Sequence, residues 1–159
     1  MKYQGPTSTE LRTITGPQPG VQAFADAVML KYGPTRHLTN LGIYNRRTIR
    51  GRSGVLTPLN ASLHAVGRAW DAGVPKGPAG KNLGDELWKR CIDGATKGLV
   101  GVQEIIWYRQ RWTPDKGVRP YKGVDDHTTH LHISFSIDWA QNHSPQADLR
   151  RWVWMALGI

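Results

Sequence analysis

Cysteine is nearly missing from this chain of 159 residues, where Cys91 stands alone. One thiol cannot close an intramolecular disulfide, so neither a disulfide framework nor a cysteine-rich structural zinc site is available. Any metal must be held by histidine and carboxylate. Long apolar runs are missing as well. Nothing approaches the roughly 18 consecutive apolar residues of a membrane span, so no membrane insertion is expected. Met1 to Gly20, with its Thr, Pro and Gly, has no apolar run of signal-peptide length, which predicts synthesis in the cytoplasm. There is no internal repeat and no dividing linker. A chain of this length buries roughly two thirds of its unfolded surface, so 1–159 reads as one domain, with 1–20 an irregular arm.

Acidic residues are also few: 12 Asp and Glu against 21 Lys and Arg leave a net charge of +9. Such a balance favours polyanionic partners, whether nucleic acid, anionic lipid or anionic wall polymer. The basic residues are dispersed rather than gathered in a tail, and no aromatic RNP segment or finger spacing is present. No specific nucleic-acid partner is therefore expected.

What the chain does contain is enough for a layered α+β structure. Val21, Phe24, Ala25, Val28, Met29 and Tyr32 recur at helical spacing, predicting a helix over about 20–32 that Gly33-Pro34 stops. Leu41 to Arg52 suits a strand or extended loop, Thr57 to Asp71 is too rich in turn residues for one helix, and Gly73 to Gly80 reads as a loop. A second helix is expected from about Asn82 to Ala95, with Asn82 as its cap and Leu83, Leu87, Cys91 and Ile92 inward. Val102 to Tyr108 and Leu131 to Ile137 read as strands, separated by a long polar loop. The chain should end in a helix capped by Ser144, with Pro145 first, burying Leu149, Trp152, Val153, Ala156 and Leu157. The expectation is a small antiparallel sheet packed against about three helices.

The histidines carry the chemical signal. Four of the six fall in two short segments, Ser62 to Asp71 and Asp125 to Phe135. His130 and His132 are two apart on a predicted strand, so both leave one face with Cβ atoms roughly 6–7 Å apart, while Leu131, Ile133 and Phe135 take the other. A turn could bring His127 to the same cavity. On a helix His64 and Asp71 would be separated by about 10 Å, too far to share an ion. Gly67 between them argues for a turn that folds Asp71 back beside His64. Two imidazoles and a carboxylate are a ligand set of catalytic zinc, leaving a fourth position for water, and a further imidazole nearby can carry its proton. A lone histidine is more often an ordinary core or surface residue; four so spaced, with an acid, are not.

Ser62-Leu63-His64-Ala65-Val66-Gly67-Arg68-Ala69-Trp70-Asp71 resembles the S-x-H-x-x-G-x-A-x-D motif of the LAS zinc metallopeptidases at every fixed position. That group includes D-alanyl-D-alanine carboxypeptidases, murein endopeptidases and phage endolysins, and shares its zinc fold with Hedgehog signalling domains. His127, His130 and His132 form H-x-x-H-x-H, similar to the second motif of penicillin-insensitive murein endopeptidases. NRRTIRGR, GRAWDAGVP and IIWYRQRW extend the likeness over about 40–137. The resemblance implies zinc on His64, Asp71 and His132, His130 as general base or water-orienting residue, and His127 as a second helper. It gives Ser62 and Arg68 roles in supporting the ligands or touching substrate. Where many members place a glutamate base, three residues before the last ligand, this chain has Thr129, which favours a histidine mechanism with Asp126 orienting His127. One of Arg46, Arg47 and Arg50, with Arg47 preferred, would contact substrate.

The function so implied is zinc-dependent hydrolysis of peptide bonds in peptidoglycan by a monomer. It would reach the wall after release, as a phage lysin does, or as a virion component. Trp107, Tyr108 and Trp112 border the long loop and would line a groove. Two rivals have distinct signatures. An inactive binding or structural module of the same fold would keep the metal without cutting walls, and a metal-dependent nuclease would degrade DNA instead.

Overall fold

In the computed structural model, which describes residues 2–142 and 146–159, six strands form one sheet. They are β1 (Thr39–Gly42), β2 (Ala69–Gly73), β3 (Val102–Trp107), β4 (Gln110–Thr113), β5 (Gly117–Pro120) and β6 (His130–Phe135). Their order is β1-β2-β6-β3-β4-β5 and every paired neighbour is antiparallel. The helices among the described residues are α1 (Ser8–Thr13), α2 (Pro19–Arg36), α3 (Pro78–Thr96), α4 (Ile137–Ala140) and α5 (Gln146–Leu157), with a 3-10 turn at Leu63–Val66. The class is α+β, as expected. Three long helices are joined by two short ones that the sequence reading lacked.

Strand alternation divides the molecule into a core face and a site face. Leu131, Ile133 and Phe135 of β6, Trp70 and Ala72 of β2, and Ile105 of β3 are buried against the long helices. Phe24 of α2 meets Phe135 edge-on at 4.9 Å and Trp70 at 6.2 Å. Fully burying a side chain of this size stabilises by roughly 1.5–3 kcal/mol, and the strand register follows from it, since a slip of one residue would turn the apolar set outward. The same register puts Asp71, His132 and Ile106 side by side on the opposite face. There a smaller cluster of Leu11, Ala61, Leu63, Ala65, Val66 and Ala69 supports the entry to β2.

Several boundaries differ from the sequence reading, each for a local reason. The arm 1–20 contains α1, because Thr7 and Glu10 form a capping box in which each side chain accepts from the other's backbone amide. Helix α2 continues through Gly33-Pro34 to Arg36. Pro34 removes one donor near the helix end, beside exposed Leu30, and the helix stops only at left-handed His37 (φ 55°). Helix α3 begins a turn before Asn82, because Pro78 occupies a position where a proline ring fits helical φ and Gly77 is its cap. Leu83, Leu87 and Cys91 are nonetheless buried as expected. The stretch 41–52 is mostly loop after a short strand, with Thr48 bridging Ala61. The long polar loop after β3 holds β4 and β5. The β3–β4 turn, Tyr108 (φ 49°) and Arg109 (φ 61°), needs two positive φ values usually supplied by Asn or Gly, so no turn signal was visible. The cap at Ser144 and Pro145, and the side chains of Leu149 and Trp152, lie outside the described residues. Val153, Ala156 and Leu157 are buried.

Candidate metal centre

His64 reaches the site through a turn that depends on glycine. Ser62 caps the 3-10 segment, its hydroxyl accepting from the His64 amide at 3.3 Å. Gly67 then ends it in the left-handed region (φ 66°), where a Cβ would run into the Gly16 carbonyl oxygen. The reversal starts β2 at Ala69 and places Asp71 directly opposite His132 of β6. The seven-residue spacing thus closes by a turn, as the sequence suggested.

Three donor atoms meet as a result. His64 Nε2 lies 3.2 Å from His132 Nδ1 and 3.1 Å from Asp71 Oδ1, and His132 Nδ1 lies 3.0 Å from Asp71 Oδ1. Ligands about 2.1 Å from a tetrahedral zinc are roughly 3.4 Å from one another, so these separations suit a set sharing one ion. His64 Nδ1–H donates to the Ile43 carbonyl at 2.9 Å, which leaves the lone pair of a neutral ring on Nε2, facing the triad. His132 Nε2 lies 3.9 Å from Glu104 Oε1, and Glu104 is ion-paired with Arg111. The His64 ring therefore has a hydrogen-bond acceptor behind it that aims its other nitrogen inward, the arrangement that orients metal-bound histidines, whereas Glu104 acts on His132 through its charge. Converging electron-pair donors repel unless a proton or cation lies between them. His64, Asp71 and His132 are a group that could hold a metal ion.

The electrostatics agree. Burial alone would raise the Asp71 carboxyl, but hydrogen bonds and charge from His132 and His64 outweigh it and hold it well below the carboxylate range. Burial would lower His132, yet Asp71 and Glu104 leave it above its ordinary value. His127 and His130 go the other way. Burial, then the neighbouring His132, brings His127 down to about 4. Burial also lowers His130. Both are neutral at neutral pH.

These two rings form a second tier, with centroids 4.6 Å apart and His127 6.0 Å from His132. His127 has left-handed backbone (φ 51°), fixed by its own amide donating to Asp125 Oδ1 at 3.1 Å and its Nδ1–H to the Asp125 carbonyl at 2.8 Å. Asp125 is anchored in turn by Arg50. This corrects the role expected of Asp126. Its carboxylate accepts from Thr128 and pairs with Arg109 at 3.4 Å, and Asp125 is the residue that orients His127. Asp125, His127 and His130 are a second group spaced so that it could hold an ion, although the Nδ1 of His127 already has the Asp125 carbonyl as partner.

Asp71 and His132 line a cavity of about 910 Å³ with Arg47, Arg50, Arg52 and Arg111 on its walls, and His64 is buried behind them. Arg46 donates to the Leu11 carbonyl and Arg50 pairs with Asp125, whereas the guanidinium of Arg47 has no partner among the described residues. Arg68 cannot touch a substrate. It is fully buried, ion-paired with Glu10 at 2.7 Å, and donates to the carbonyls of Gly5 and Phe135, so it fastens the N-terminal segment under the site. Of the three aromatics expected to line a groove, Trp107 and Trp112 are buried and Tyr108 is 44% exposed.

Sequence reasoning missed Asp125 and Glu104. Glu104 had a readable signal, the one charged residue within the strand VQEIIW. Asp125 had none, because its neighbour Asp126 is chemically the same.

A family model described as the VldE C-terminal domain matches residues 14–132, and the chain belongs to that family. The matched stretch includes His64, Asp71 and His132. No curated protein and no solved structure matches the chain.

Proposed function

For this member of the VldE C-terminal domain family we propose a zinc-dependent peptidase that cleaves peptide bonds in bacterial peptidoglycan, with His64, Asp71 and His132 as ligands. The carrying observation is the donor triangle of 3.0–3.2 Å edges, with Asp71 and His132 open to a cavity that His127 and His130 also line. A bound zinc supplies Lewis acidity toward a carbonyl oxygen and toward water. The resemblance to LAS peptidases in the motif around His64 supports the same reading.

The chain's own groups supply the rest. His130, neutral because it is half-buried, accepts a proton and returns it to the departing amine. His127, its Nδ1–H tied to the Asp125 carbonyl, presents Nε2 as a second acceptor. Arg47 offers an unpartnered cation to a substrate carboxylate or to oxygen charge developing on the attacked carbonyl. The basic cavity wall suits an anionic polymer.

The test is metal analysis with digestion of defined peptidoglycan. About one zinc per chain is expected, lost in His132→Ala and kept in an inactive His130→Ala, with new amine termini marking the bond. Zinc without cleavage would favour a binding module, DNA degradation without wall cleavage a nuclease, and no stoichiometric metal would overturn the proposal.

A further inference from the structure

A second depression of about 460 Å³ lies beside the metal cavity, lined among others by Val74, Pro75, Lys76, Lys81, Tyr108 and Thr129. Thr129 lines both cavities, so the two share a wall. It is an exposed residue and the one immediately before β6. From His132 to Thr129 is three residues of extended chain, about 10 Å. That is also the length of three residues of an extended peptide.

Tyr108 is held in place at this second depression by an unusual effort of the backbone. Both residues of the Tyr108-Arg109 turn have positive φ, which is uncommon for non-glycine residues and for a bulky one marks strain. Their amides donate to the carbonyls of His127 and Asp126, each at 3.0 Å, so the turn is tied to the segment carrying the site histidines. The Tyr108 ring lies against Trp107 at 5.4 Å, and Lys81 Nζ sits 5.0 Å from its centroid. Lys81 is fixed by Asp85, which also accepts from Trp107 Nε1. The outcome is an aromatic, 44% exposed, fixed on the rim of an apolar depression that adjoins the metal cavity across Thr129.

We infer that this depression is an extended subsite of the peptidase proposed above, taking the substrate's peptide strand about three residues to one side of the scissile bond, with Tyr108 as its contact. The inference rests on that reading and sharpens it. A subsite on one side of the scissile bond makes cleavage depend on the length of peptide on that side, so short substrates are cut poorly.

Synthetic peptides built around the bond identified in intact peptidoglycan, lengthened by one to four residues on either side, test this with the zinc-loaded full chain. For the wild type, kcat/KM should rise at least about fivefold once the extension on one side reaches three residues. In Tyr108→Ala the ratio of long to short substrate should fall towards one. Tyr108→Asn, which tolerates the left-handed backbone, should behave the same and removes misfolding as an explanation. Cleavage with no length dependence, or a length dependence unchanged in both variants, overturns the subsite and leaves the peptidase reading standing. Failure to cut any peptide, including intact wall, overturns both.

Discussion

Gly67 is where the fold and the site depend on the same atom, and replacing it by alanine separates two physical effects. Gly67 (φ 66°) and Gly117 (φ 62°) share left-handed backbone, but a Cβ on Gly117 meets nothing within 4 Å, whereas one on Gly67 meets the Gly16 carbonyl oxygen, with Gln18 N at 3.0 Å. Left-handed φ costs an L-residue about 1–2 kcal/mol, and the stiffer unfolded chain returns roughly 0.4–1 kcal/mol. Gly117→Ala should therefore destabilise by about 1 kcal/mol. Gly67→Ala adds overpacking against backbone that cannot rotate away, about 1–3 kcal/mol more. For a chain of this length each kcal/mol lowers Tm by roughly 2–4 °C, so Gly67→Ala should melt roughly 5–15 °C below wild type and Gly117→Ala only a few degrees. Moving the turn also pulls His64 from Asp71, so zinc affinity should drop at least about tenfold in Gly67→Ala alone. The assays are thermal unfolding of both metal-free variants and a competitive zinc titration. Equal melting losses, or a zinc affinity in Gly67→Ala equal to wild type, would refute the close-approach argument.

Three further outcomes are expected elsewhere. Glu10→Ala strands the buried Arg68 guanidinium and removes the α1 capping box, so chemical denaturation should show a loss of about 3–5 kcal/mol; a loss below about 1 kcal/mol would mean water reaches Arg68. Burial raises the Glu86 carboxyl, but hydrogen bonds from Tyr32, Arg90 and Arg36 outweigh it and hold it below its ordinary 4.5. Its stabilising effect is complete above pH 4.5 and fades as pH falls through the lower folded value. Glu86→Gln should thus be less stable than wild type at pH 7, with the gap narrowing in acid; a gap independent of pH would contradict this. Cys91 is fully buried and its thiol is pushed up to about 12, so a thiol reagent at pH 8 should label it only at the rate of unfolding. Rapid labelling of native protein would show that the α3 core face opens.

Residue chemistry alone determined much of this protein. The alternation of Leu131, Ile133 and Phe135 with His130 and His132 set both the buried face of β6 and the face that bears the site, because side chains alternate with period two whatever the sheet around them. Gly67 announced the turn between His64 and Asp71, because few other residues tolerate its backbone. The lone Cys91 at helical spacing from Leu83 and Leu87 already read as core. Tertiary structure decided what depends on partners distant in sequence. Arg46, Arg47 and Arg50 are equivalent as letters, and only the neighbours Leu11 and Asp125 show which is left free in the cavity. Asp125 rather than Asp126 orients His127, because a positive φ at His127 turns its ring toward one carbonyl and not the next. Arg68, within the ligand motif, faces inward to Glu10 from a segment that reads as an arm. The β3–β4 turn has no local code, since Tyr108 and Arg109 are held in left-handed backbone by hydrogen bonds to the histidine-bearing segment, a cost that only the assembled sheet can offset.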